Sequence, residues 1–123
     1  MCGEIDEQSR IDELLFERFV EQAVRRGAVE PVIVETAIQH LDTQESRLAY
    51  LEDRFRRVLS EVLSDVSSLP EGERMDGVAG QAILFARMAG YLAGQMPPEA
   101  DLFRSVVSAL MDGDRESRIG RDH

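Results

Sequence analysis

Arg87 and Tyr91 stand one helical turn apart in the stretch GVAGQAILFARMAGYLAG over residues 77–94, where Gln81 and Arg87 are the strongly polar residues. A guanidinium and a phenol at that spacing share a helix face and could together hold a carboxylate or phosphate. An unpaired cation among apolar neighbours is costly. Arg87 is therefore expected either to form a structural salt bridge, to reach the surface along its own stem, or to recognise an anion in a pocket or interface with Tyr91.

Other chemistry finds less support. Cys2 is the only cysteine, so no intramolecular disulfide is available. The opening Met-Cys-Gly resembles, over those three residues, the glutamine amidotransferases that expose an N-terminal cysteine nucleophile. That resemblance implies a large layered sheet, for which the rest of the chain shows no pattern. Di-iron helical proteins use Glu-x-x-His pairs, but His40 has no Glu three residues before it and the other histidine, His123, is the last residue. Two histidines make a Ser-His-Asp or Cys-His arrangement implausible, and with no lysine there is no phosphate-binding Lys. No catalytic residue, metal ligand or cofactor is expected.

The elements that must position Arg87 and Tyr91 are helical. From Ser9, apolar residues at Ile11, Leu14, Leu15, Phe16, Phe19, Val20, Ala23 and Val24 follow a helical period, and Gly27 supplies a stop. Residues 1–8 read as a flexible start. Pro31 suits the first turn of a second helix continuing through Ala37, Ile38 and Leu41, with His40 near its C-terminus. Val32, Ile33 and Val34 also permit a short strand over 28–34. Asp42 and Glu45 have capping-box spacing. After them Leu48, Phe55, Val62 and Leu69 recur every seven residues, with Leu51, Val58, Leu59 and Leu63 beside them. Glu21–Arg25, Glu52–Arg56 and Asp53–Arg57 are favourable one-turn pairs. A helix of about 25 residues is about 38 Å long, so part of it is expected to meet a second chain or to span a long bundle. Ser, Pro and Gly break the pattern over 67–77.

The 77–94 segment is expected as a helix at the centre of the domain. It is a poor membrane span: Arg87 lies near its middle, it carries four glycines and acids flank it. Ala82, Ala86, Gly90 and Ala93 line one side with small residues, which permits close approach of another backbone. They are the candidate packing or dimer seam, together with Leu48, Leu51, Phe55, Val58 and Val62. Pro97 and Pro98 turn the chain, and Pro98 can open a fifth helix carrying Leu102, Phe103, Val106, Val107, Leu110 and Met111. Gly113 is expected to stop it and residues 113–123 to form a disordered tail.

The chain has 123 residues and a net charge of −10, from 24 acidic residues against 14 basic ones, all arginine. Absence of Lys and Asn suggests a GC-rich bacterial source. The acidic balance opposes phosphate backbones and anionic lipid at long range. A helix–turn–helix over 31–57 with Arg47, Arg54, Arg56 and Arg57 on its recognition helix is the weaker alternative, because acids share that helix. The N-terminus lacks the basic and apolar regions of a signal peptide, which points to the cytoplasm. The expected fold is all-α: a four- or five-helix antiparallel bundle-like domain over 9–112. In size, acidity and helix content the chain looks like small bacterial helical chaperones and adaptors. The expected role is a non-enzymatic protein–protein interaction module, homodimeric, with no membrane and no nucleic-acid partner. A small-molecule sensor with a pocket between helices near Arg87 and Tyr91 is the main alternative.

Overall fold

The computed structural model describes residues 2–32, 34 and 39–119. Among them are four α-helices and no strand: α1 (Cys2–Arg25), α2 (Gln44–Ser67), α3 (Arg74–Ala93) and α4 (Leu102–Ile119). Short 3-10 turns occupy Glu71–Glu73 and Pro98–Ala100. The all-α class expected from the apolar periodicity is thus present. The chain divides into two compact units, Pro31–Ala86 on one hand and Met1–Glu30 with Arg87–His123 on the other.

In the unit of residues 31–86, α2 opens on a capping box. The Ser46 backbone N–H donates to Thr43 Oγ1 (3.0 Å), and the Thr43 N–H donates to Ser46 Oγ (3.2 Å). This satisfies donors that a helix start leaves unpaired. The box lies one residue beyond the expected Asp42–Glu45 register, because Thr43 holds the extended N-cap conformation. Glu45 still sits in the first turn, where its charge suits the helix dipole. The Arg47 guanidinium donates to the Leu41 carbonyl at 2.9 Å, tying the preceding segment to the helix.

Alpha-2 ends where the Ser-Pro-Gly break predicts. Arg74, the first residue of α3, reaches back across the turn: its Nε donates to the Leu69 carbonyl (3.0 Å) and its Nη2 to the Ser67 carbonyl (3.3 Å). A cation there also faces the negative end of the α2 dipole. Just beyond, Gly77 meets Val66 and Leu69. Val66 is the one buried residue among those described, 8% exposed.

The unit formed by residues 1–30 and 87–123 holds α1, the end of α3 and α4. Phe16 and Phe19 contact edge to face on α1, ring centroids 6.3 Å apart. Alpha-1 closes in a Schellman motif. Gly27 takes φ +106°, its N–H donates to the Val24 carbonyl, and the Ala28 N–H donates to the Ala23 carbonyl, both at 2.9 Å. Asp101 takes the left-handed conformation (φ 48°, ψ 40°) directly before α4.

Several boundaries differ from expectation. Alpha-1 starts at Cys2, not Ser9. Of the second helix expected from Pro31, the described residues 31, 32, 34 and 39–41 are in neither helix nor strand. Ile33 and the segment 35–38, including Ala37 and Ile38, lie outside the described residues. The β-branched Val32 and Val34 lose rotamer freedom in a helix, and Pro31 supplies no N–H donor. His40 itself is in no helix and precedes α2. Pro98 opens the 3-10 turn, and α4 itself starts at Leu102. It continues through Gly113 to Ile119. One helical glycine costs about 1 kcal/mol, and the Asp114–Arg118 pair at 3.1 Å supports the following turn. The 77–94 segment is helical to Ala93, yet none of its residues is buried. Period and propensity make a helix; whether another element covers it depends on packing that the pattern leaves open.

Candidate interaction surface

The apolar repeat of α2 occupies an arc of about 140° at 3.6 residues per turn. Within it the exposed side chains run from Leu48 to Leu63, with half-buried Val58 and Val62 among them, and the buried position follows at Val66. Val66 is buried, and Val58, Val62 and Leu69 are half-buried. Leu48, Leu51, Phe55 and Leu59, toward the N-terminal end, are 60%, 61%, 59% and 56% exposed, and Leu63 beside them is 68% exposed. The covered end is the one that meets the turn and Gly77. The open end carries large side chains with no cover. One edge of this open run bears Glu52 and Arg56; the other bears Arg47, Arg54 and Glu61.

The expected pairing on α2 is met in part. Arg57 Nε lies 3.0 Å from an Asp53 carboxylate oxygen, and Arg56 approaches the same carboxylate at 3.8 Å. Glu52 and Arg56 are not paired with one another among the described contacts, which leaves Glu52 open at the edge of the apolar run.

Arg87 is exposed, and among the described residues it has no ion pair or side-chain hydrogen bond. Its surface position removes the penalty that an unpaired buried cation would carry. Tyr91 is half-buried, and its backbone carbonyl accepts from Gln95 Nε2 at 3.2 Å. On the small-residue side of α3, Ala82, Ala86 and Gly90 are exposed and Ala93 is half-buried. A Cβ at Gly90 would meet nothing within 4 Å, so this stripe has no close-packed neighbour there.

A cavity of about 370 Å³ lies elsewhere, at the start of α2, lined by Gln39, His40, Leu41, Ser46, Ala49, Tyr50 and Asp53. Sequence reasoning did not find it: it brings together a non-helical segment and the first turns of a helix, and no spacing rule connects the two. His40, Tyr50 and Asp53 share its lining, but Asp53 is engaged by Arg57 and Arg56. No described hydrogen bond joins the three into an acid–base pair. Among the described residues there is no group of three or more His, Cys, Asp or Glu placed to hold a metal ion, and no helix is long and apolar enough to cross a membrane. Comparison with protein-family models, with curated proteins and with solved structures finds no match.

Proposed function

We propose that this chain is a small acidic, non-enzymatic protein–protein interaction module, an adaptor or regulatory protein that works as a homodimer. The observation that carries this reading is the open run Leu48–Leu51–Phe55–Leu59 on one face of a capped helix. Exposed apolar residues scattered singly need no explanation; several contiguous ones at helical spacing mark a binding surface. Covering a Leu or Phe side chain contributes about 1.5–3 kcal/mol when the whole side chain is transferred from water. Association costs on the order of 4–15 kcal/mol. Four anchors covered together, or covered once on each of two copies, offset that cost; any one alone does not.

The test is a charge placed in the run. Leu51→Glu with Phe55→Glu is expected to abolish association while the far-ultraviolet circular dichroism of the chain stays unchanged. Native mass spectrometry of the purified chain reads out mass and any retained partner. Association that survives both substitutions sinks the reading.

A small-molecule sensor is the second reading, and the cavity beside His40 and Tyr50 favours it, being within the size range of ligand pockets. It differs from the expected position near Arg87 and Tyr91. A small ligand retained in the native mass spectrum, and lost in Tyr50→Ala, would place this reading first.

A further inference from the structure

We infer that the open half of α2 pairs with the same half of a second copy, antiparallel, about a twofold axis at Phe55. The inference rests on the reading of this face as a docking surface and adds its occupant and register. Phe55 lies at the middle of the open run from Leu48 to Leu63. Beyond that run the face is taken up at Val66 by the turn and Gly77. Two open halves overlap fully when they run in opposite directions and cross at their shared midpoint, and the charges beside the run separate this arrangement from an in-register parallel one. The apolar residues then fall into layers: Phe55 against its own mate, Leu51 against the partner's Leu59, Leu48 against the partner's Val62.

The charges beside the run agree with this register. Glu52 comes opposite the partner's Arg56, and Arg47 opposite the partner's Glu61, each contact occurring twice by symmetry. Arg54 and Arg56 each face their own mate near the axis, two like-charge contacts against four attractive ones. An in-register parallel pair sets Arg54 beside both the partner's Glu52 and the partner's Arg56, two attractive contacts against two like-charge ones at the same axial offset. Opposed helix dipoles also favour the antiparallel arrangement. The chain as a whole carries −10, a charge that resists self-association. Alpha-2, however, holds four arginines against five acidic residues, a net of −1. The negative charge is thus placed mostly away from the face that would meet its copy. A strongly basic partner would find an excess of one acidic residue on α2 to select it.

The experiment uses the full chain with Cys2→Ser, so that the native thiol forms no cross-link. Phe55→Cys and Leu48→Cys are then made separately and oxidised, and mass is read by light scattering and non-reducing electrophoresis. The expected result is a dimer in which Phe55→Cys cross-links. Leu48→Cys is expected to cross-link at least ten-fold less, because the two copies of residue 48 lie about 21 Å apart along the helices, beyond disulfide reach. A second measurement follows the dimer dissociation constant. Glu52→Arg is expected to weaken the dimer about ten-fold, and adding Arg56→Glu to restore it. Equal cross-linking at both positions overturns the antiparallel register and leaves the docking face standing. A monomer that cross-links at neither position overturns self-pairing. A dimer indifferent to Leu51→Glu with Phe55→Glu overturns both the register and the docking face.

Discussion

Gly77 and Leu69 face one another across the turn between α2 and α3: a Cβ on Gly77 would come within 2.5 Å of Leu69 Cδ1 and 3.6 Å of Val66 Cγ2. The two helices approach closely here because one of them has no side chain at the contact. Gly80, one turn further on, has nothing within 4 Å of its own Cβ position. The pair makes an internal control. Both substitutions to Ala gain helix propensity of up to about 1 kcal/mol. Gly80→Ala should show that gain. Gly77→Ala should gain less, because the end of the half-buried Leu69 side chain must first move aside. Urea unfolding followed by circular dichroism measures the difference, and equal stabilities for the two variants would contradict the close approach.

Arg74 joins the same turn through the Ser67 and Leu69 carbonyls. Hydrogen bonds of this kind contribute about 1 kcal/mol net. Arg74→Ala is expected to lower stability by about that amount, and Arg74→Lys to recover only part of it, because an ammonium lacks the planar fork that serves two carbonyls. Full recovery by lysine would mean that charge near the helix end, and not the geometry, is what matters.

The capping register can be separated from its neighbour in the sequence. Thr43→Ala removes the side chain that accepts from Ser46 and should cost about 1 kcal/mol. Asp42→Ala should lie within about 0.5 kcal/mol of the parent, as surface substitutions away from such features do. Thermal unfolding of the two variants decides it; the reverse order would restore the Asp42–Glu45 box.

Asp101 holds a left-handed backbone before α4. Short polar residues tolerate that region, whereas a β-branched side chain is strained there. Asp101→Val is expected to destabilise the chain by about 1–2 kcal/mol. Asp101→Gly should be close to neutral, with the lost Arg104 pair, 3.7 Å apart and exposed, a minor term. Parallel denaturation curves test this, and equal loss in both variants would place the effect in the carboxylate and not in the backbone.

The features legible in the residues are the local ones. Leu48, Phe55, Val62 and Leu69 at seven-residue intervals identify one helix face, and Asp53 and Arg57 at i,i+4 identify a pair, because both follow from the pitch of a single helix. Gly27 stops α1, and Ser-Pro-Gly and Pro-Pro punctuate the chain, because those residues restrict or free their own backbone angles. The one-residue error in the cap shows the limit of such rules when several local choices are close in energy.

Cover along the face was not legible. Phe55 and Val66 belong to one apolar stripe and have equal claims to burial by spacing. One is 59% exposed and the other 8%, because the turn brings Gly77 against Val66 and nothing comparable against Phe55. Sequence alone thus determined that α2 has an apolar face, a property of one helix and its 3.6-residue repeat. Which half of that face stays open was decided by tertiary structure, since burial is a relation between two elements and a repeat within one of them carries no information about the other's approach.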